Sequence, residues 1–347
     1  MDYYIEKFNG KIEELAILFQ TDSPEGSDLC DKEYLKWLYF ENPIGKAIIV
    51  CARTKSSSQL VAIYIVNPVL YYFNGKAVKG GLSLNTFTRK EFRGKGLFPK
   101  LAQLCYQESL KEGLSYIIGF PNAASYPGFI KKLEFIDLGN VGYYIKVISP
   151  VGSVLKKVGI KFQRRKEFST IQKENIVIRE IMDDDWLNLD LFLQKYKSNR
   201  KITNYRNNAY LKWRYKNHPS REYRIIGCWS QNELIGYTVL SSKLSSWLTD
   251  GYIVDLCLAE DSALESLYSR FVDVIVDYFN KNGVDIIKVF LNEDSHEHHV
   301  LKSKRFFPKA WVARNSDLPF IYRDLSGTCQ NYEFMDWNLS LGDCDVV

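Results

Sequence analysis

The sequence predicts an α/β (α+β) protein of two tandem domains, each a mixed, mostly antiparallel sheet flanked by helices. Three observations point there. The chain has 347 residues, about two domains at roughly 150 residues each. It contains a diverged copy of itself: YLKWLYFENP at 34–43 recurs as YLKWRYKNHP at 210–219, six of ten positions identical at an offset of 176. Within each copy, hairpin signals come first and a single strand–helix–strand crossover follows, the pattern of a mixed sheet.

Further matches run in the same order at similar offsets. Ile5-Glu6-Lys7 resembles Ile178-Arg179-Glu180, Gln59 to Tyr64 resembles Glu233 to Thr238, and Gly113 to Ile118 resembles Gly283 to Lys288. The expected organisation is a first domain over 1–150, a basic linker over 151–174 and a second domain over 175–347. In the first copy Lys46–Cys51 reads as a short apolar strand and Gln59–Val69 as a second. Tyr71–Phe73 and Lys76–Val78 flank an Asn74-Gly75 turn, and Leu82–Thr88 is a further strand. Leu97 to Glu112 has helical apolar spacing at Leu97, Leu101, Leu104, Cys105 and Leu110, closed by Gly113; Tyr116–Phe120 then reads as a buried strand.

Composition excludes several classes. With 46% apolar and 25% charged residues the chain is neither disordered nor fibrous. A net charge of +5 is too small for a dense nucleic-acid-binding stripe. The basic cluster at 156–166 reads as a solvated linker, with a nucleic-acid or membrane patch as the alternative. The start carries no basic-plus-apolar signal, and the tract Leu60–Phe73 is shorter than the roughly 20 residues of a membrane span, so a cytoplasmic protein without membrane insertion is expected. Seven scattered cysteines without CxxC argue against disulfides or a zinc knuckle, and no metal is expected. His296-Glu297-His298-His299 reads as a solvated helix start, with acceptor contact or metal as alternatives, and the repeated Trp37 and Trp213 read as repeat-core residues.

The most informative stretch is Arg93-Gly94-Lys95-Gly96-Leu97-Phe98, between a strand end and a helix start. Glycines at 94 and 96 allow a tight turn and close backbone approach, and the helix start presents N–H groups and positive dipole to an anion. Arg93 and Lys95 add charge, so the natural guest is a phosphate or pyrophosphate. Neither GxxxxGK[ST] nor GxGxxG is present. The loop resembles the acyl-CoA pyrophosphate loop [QR]-x-x-G-x-[GA] of the GNAT (GCN5-related N-acetyltransferase) superfamily, with Phe98 where a small residue is usual. The stretch from Gly119 to Phe135, with Asn122 near its start and Leu133-Glu134-Phe135 at its end, resembles the later strand–helix segment of that superfamily.

The resemblance implies two GNAT-like domains and acyl-CoA as co-substrate. It implies that the strand Thr86-Phe87-Thr88 pairs with the pantetheine amides and that Arg93 to Phe98 hold the pyrophosphate. An amine would attack the thioester directly, with a bulge N–H stabilising the oxyanion. The family's usual glutamate is missing: Gly81 to Thr88 carry no carboxylate and no histidine. The usual tyrosine falls near Phe129 or Ile130, and Tyr126 lies one turn early, either a leaving-group acid or a core residue. Asn85 and Asn122 are either hydrogen-bonding groups for the amine or carbonyl, or strand-edge and turn residues. In the second copy Asn85 maps to Asp255, and Arg93–Gly96 map to Ala263-Leu264-Glu265-Ser266, so no CoA binding is expected there. The second copy is expected to stabilise the first and to wall an acceptor cleft.

The first half resembles acyltransferases of bacterial polysaccharide and amino-sugar pathways. The implied acceptor is a small molecule, a nucleotide-linked amino sugar such as a dTDP-amino-dideoxyhexose for O-antigen or capsule. A peptide or aminoglycoside amine and a non-catalytic acyl-CoA-binding module are the other readings. The oligomeric state is left open.

Overall fold

A computed structural model of the chain describes residues 2–24, 26–148, 167–173, 175–196, 200–244, 248–290, 293, 295–308, 318–327 and 332–344. The basic cluster at 156–166, and with it most of the expected linker, lies outside the described residues.

The first half runs β1 (Tyr3–Lys7), α1 (Ile12–Gln20), α2 (Lys32–Phe40), β2 (Ile48–Thr54), β3 (Leu60–Phe73), β4 (Lys76–Thr88), α3 (Leu97–Lys111), β5 (Tyr116–Gly119), α4 (Tyr126–Leu133), β6 (Ile136–Val141) and β7 (Tyr143–Val147). The stretches read separately as 59–69 with 71–73, and as 76–78 with 82–88, are two long strands. They meet at Asn74-Gly75, whose φ values of 48° and 80° give the left-handed pair that a two-residue hairpin turn needs. Pro68 is tolerated inside β3 because pairing with β2 stops at Val66, so no neighbour on that side asks for its missing N–H. Helix α3 buries Leu97, Leu101, Ala102, Cys105 and Tyr106. Leu110, expected on that face, is 44% exposed. Gly113 ends the turn in the left-handed region at φ 80°.

The second half repeats the order: β8 (Ile171–Lys173), β9 (Ile176–Glu180), α5 (Trp186–Lys195), β10 (Ile202–Asn204), α6 (Asn208–Leu211) leading into a π turn (Lys212–Lys216), β11 (Arg224–Ser230), β12 (Glu233–Leu244), β13 (Thr249–Leu258), α7 (Glu265–Lys281), β14 (Ile286–Phe290), α8 (His296–Ser303), β15 (Phe307–Pro308), β16 (Leu318–Asp324) and β17 (Trp337–Asn338).

The two sheets exchange strands. The first has the order β1-β2-β3-β4-β5-β16-β6, and the second β15-β7-β14-β13-β12-β11-β9-β8. Strand β16, from near the end of the chain, pairs with β5 (Ile321 with Gly119) and with β6. Strand β7 leaves the first half and pairs with β14 (Lys288 with Ile145) and with β15. Each half lends the other the strand that sits beside its crossover strand, β5 or β14, so neither sheet is complete from one half alone. Most pairs are antiparallel; β4–β5 and β13–β14 are the parallel crossover pairs around α3 and α7.

The halves also meet through the repeated tryptophans. Trp37 and Trp213 stack with ring centroids 5.1 Å apart, and each indole N–H donates to the other's backbone oxygen, at 2.8 and 3.0 Å. Trp37 is buried in the core as expected, Trp213 is only half-buried against it, and they are each other's partner across the junction. Around them a cluster containing Tyr71, Tyr116, Trp186, Tyr215 and Trp337 draws from both halves.

Candidate functional site

In the first half the parallel ladder between β4 and β5 is short. Gly81, Leu82 and Ser83 pair with Ile117, Ile118 and Gly119, where β5 ends, while β4 runs on to Thr88. Residues 84–88 therefore face no strand on that side. The β3 pairing slips there too: Ile63 pairs with Phe87 and Ile65 with Leu84, leaving a bulge at Asn85-Thr86 opposite Tyr64. Asn85 sits in the left-handed region at φ 51°, a conformation that Asn tolerates better than other L-residues. A strand that parts from its neighbour at a bulge offers backbone N–H and C=O groups for an extended guest to pair with. The Thr86 hydroxyl is buried without a hydrogen-bond partner on this stretch.

From the end of β4 a 3-10 turn at Lys90–Phe92 leads into the glycine loop. Gly94 and Gly96 have φ values of 76° and 70°, and a Cβ at either would meet nothing within 4 Å. The glycines answer to backbone conformation and leave open space above the loop. Gly96 caps α3, and among the described residues the N–H groups of Gly94, Lys95 and Gly96 have no acceptor. Successive free N–H groups at a helix start form a nest for an anion. Arg93 donates from Nε to the Thr88 carbonyl (3.0 Å) and from Nη2 to Asp22 (2.6 Å), and Lys90 reaches the same carboxylate at 2.7 Å. Those two partners, Lys90 before Arg93, hold the Asp22 carboxyl below its usual range. The Lys95 ammonium lies 4.8 Å from the Phe92 ring centroid. The side chains of Phe87, Leu97 and Phe98 are turned into the protein: Phe87 meets Phe19, Leu97 is core, and Phe98 packs on Tyr64 and Phe129. Leu97 leaves only its backbone to a guest, while Phe87 and Phe98 are half-buried. Gly128 lets α4 come this close, since a Cβ there would meet Phe98 at 3.0 Å.

Asn85 lies on β4 beyond the parting, Asn122 follows the end of β5 and Tyr126 starts α4; each has a protein partner. Asn85 Nδ2 donates to the Tyr39 hydroxyl at 3.0 Å. Asn122 Oδ1 accepts from the Ala124 and Ser125 N–H groups (3.1 and 3.0 Å), the Asx turn that opens α4. The Tyr126 hydroxyl donates to Asp137, and that hydrogen bond raises its pKa.

The second half keeps the frame and fills it. A bulge recurs where Val239 pairs with Asp255 and Leu240 with Ile253. The correspondence expected at Ala263–Ser266 is corrected by the geometry: the 3-10 turn Ser262–Leu264 runs straight into α7 at Glu265, so Arg93–Gly96 have no structural counterpart. Offsets that drift by a few residues hid this shortening. Glu297 Oε1 accepts from the Leu258 N–H (3.1 Å) and the Tyr196 hydroxyl (3.0 Å), placing the protein's own carboxylate on the edge of β13. Burial pushes that carboxyl's pKa up. Asp255 is 2.6 Å from Arg206, both buried. The His296–His299 stretch starts α8 as expected, but Glu297 and His298 are buried and not solvated, because Ser295 caps the helix and turns them inward. Among the described residues no group of three His, Cys, Asp or Glu is placed to hold a metal.

A small cleft, with a volume of about 50 Å³, opens at the junction. Asn67, Pro68 and Val69 of β3 and Leu82 and Leu84 of β4 form one wall; Asn204, Tyr210, Trp213, Arg214 and the 342–344 segment form the other. It lies where β3 has lost β2 and not yet gained β10, and it reaches the residue before the Asn85 bulge. Sequence reasoning missed Asp22, Lys90, Asn67 and Arg214. The one available signal was the change from Leu38 to Arg214 inside the repeated motif.

No family model matches the chain, and no curated protein is similar to it. Solved structures are. N-myristoyltransferase of Saccharomyces cerevisiae with bound myristoyl-CoA superposes with a TM-score of 0.63 at 15% identity, over 92% of this chain and 82% of that one. A probable N-acyltransferase of unknown function from Enterococcus faecalis V583 gives 0.64 at 12% identity, over 94% and 73%. A GCN5-related N-acetyltransferase from Anabaena variabilis ATCC 29413 gives 0.63 at 11%, over 93% and 73%. The fold is therefore the tandem GNAT-like fold.

Proposed function

We propose that the chain is an acyl-CoA-dependent N-acyltransferase with one working CoA site, in the first half. The observation that carries this reading is the nest at Gly94–Gly96: N–H groups without acceptors at the start of α3, directly after a strand that parts from its neighbour at a bulge. The nest would hold the pyrophosphate, with Arg93 and Lys95 adding charge. Thr86–Thr88 would pair with the pantetheine amides, and the thioester would then lie near the Asn85-Thr86 bulge.

The amine attacks the thioester carbonyl; a C–N bond forms, the C–S bond breaks, and CoA leaves as the thiol after the amine loses a proton. A bulge N–H is suited to stabilise the oxyanion. Positioning supplies much of the rate, since β4 offers no carboxylate or histidine as a base. Asn85, Asn122 and Tyr126 are proposed to orient the reactants. That Asn122 is exposed, with only its Oδ1 engaged, favours it as a contact.

The proposed acceptor is a small amine, and within that class a nucleotide-linked amino sugar such as a dTDP-amino-dideoxyhexose. Arg214 in the wall of the junction cleft, bonded only to backbone carbonyls among the described residues, favours an anionic acceptor over a cationic aminoglycoside. Incubation with a panel of nucleotide amino sugars, aminoglycosides and peptides plus acetyl-CoA, read by mass spectrometry, tests this. An acylated amino sugar with equimolar thiol release is expected. Acetyl-CoA binding without any acylated amine would favour the second reading, a binding module, for which the missing base is the supporting observation.

A further inference from the structure

Among the described residues, the second-half wall of the junction cleft holds a guanidinium with no carboxylate paired to it. Arg214 is 8% exposed, and its described contacts are two backbone carbonyls, Gly342 (3.3 Å from Nε) and Cys344 (2.8 Å from Nη2). Among the described residues no acidic side chain is within ion-pairing distance of it. Burying an unpaired charge is unfavourable, and the fold does not require it, because the repeat places Leu38 at the equivalent position of the first half. Arg214 also lies inside the π turn 212–216, a backbone irregularity that recurs at functional sites.

The opposite wall holds an unmet acceptor. Asn67 is 4% exposed; its Nδ2 donates to the Leu38 carbonyl at 3.0 Å, which fixes the amide's orientation, and its Oδ1 has no partner. Asp343 presents no unengaged oxygen to the cleft, since both are held by Tyr71, Asn204 and Arg206. Arg206 pairs with both Asp255 and Asp343, so Arg214 balances the surplus acidic charge of the junction without a direct ion pair among the described residues.

We propose that the cleft recognises an anionic group of the acceptor, a carboxylate or a phosphate, paired with Arg214 while Asn67 Oδ1 accepts from an N–H or O–H of the same molecule. The proposal rests on the N-acyltransferase reading for its meaning, but it is tested by binding without acyl-CoA. Two matched pairs of probes serve: glucosamine 1-phosphate against glucosamine, and glycine against glycinamide, with dissociation constants from ligand-observed NMR on the full chain.

In at least one pair the anionic member is expected to bind about tenfold or more tightly, and the pair showing it separates phosphate from carboxylate. Arg214→Leu should remove the gap, Arg214→Lys should keep part of it, and both should leave acetyl-CoA affinity unchanged. Asn67→Asp, which keeps the side-chain shape, should weaken the anionic probe more than the neutral one even if Arg214→Leu fails to fold. No gap in the wild-type chain, or a gap that survives these substitutions, overturns the proposal. Failure of acetyl-CoA to bind would instead overturn the N-acyltransferase reading, so the two outcomes stay distinct.

Discussion

His218 shows how burial at the junction is felt through pH. Its ring lies 4.3 Å from Trp37, and its Nδ1 accepts from the Ser220 and Arg221 N–H groups. Burial first, then the Arg214 and Arg221 charges, push its pKa down to about 3. The unfolded chain thus binds a proton that the folded chain refuses between about pH 6.5 and 3, and stability falls as pH falls through that window. Each pH unit contributes up to about 1.4 kcal/mol. Urea unfolding at pH 7, 5.5 and 4.5 should show this loss, and His218→Asn, which keeps an acceptor for the two N–H groups, should reduce it; equal slopes in both proteins would refute the assignment. Asn85 makes a second residue-scale case. Asn85→Val places a β-branched residue at φ 51° and removes the bond to Tyr39, for about 2 kcal/mol or more of lost stability, whereas Asn85→Gly relieves the strain and should cost about 1 kcal/mol or less. Equal losses would mean the bulge is not strained.

At the scale of elements the exchanged strands decide whether a half can stand alone. Strand β16 carries Phe320, Ile321 and Tyr322, exposed by 0%, 0% and 3%. At about 1.5–3 kcal/mol each, their burial is worth roughly 5–9 kcal/mol, as much as the whole stability of many domains. A fragment ending at residue 148 is therefore expected to lack cooperative unfolding by circular dichroism, and co-expression with 167–347 should restore it; a fragment that folds alone would contradict the exchange. The exchange was not legible in the sequence, because β6 and β7 are separated only by Gly142 and local pattern reading pairs consecutive strands. The hairpin at Asn74-Gly75 and the glycine loop were legible, since positive φ leaves a residue-type signature. Asp22, 71 positions from Arg93, left none.

At the scale of the molecule, one fold occurs twice with unequal ends. Trp37 and Trp213 reciprocate across the junction, which the repeat made legible as core but not as a mutual pair. The first half ends β4 in an open nest; the second shortens that loop and lays Glu297 on the matching strand edge. The proposed activity therefore requires a single acyl-CoA site per chain, made at Gly94–Gly96. Substituting Asp at 96 adds about 1 kcal/mol of left-handed strain, but a like charge about 4 Å from a pyrophosphate is worth about 4 kcal/mol at an effective dielectric near 20, so binding suffers far more than folding. Isothermal titration of the full chain with acetyl-CoA is the most direct test. One site per chain is expected, weakened by about a hundredfold or more in Gly96→Asp and unchanged in Glu265→Ala. Two sites per chain, or normal affinity in Gly96→Asp, would contradict the account.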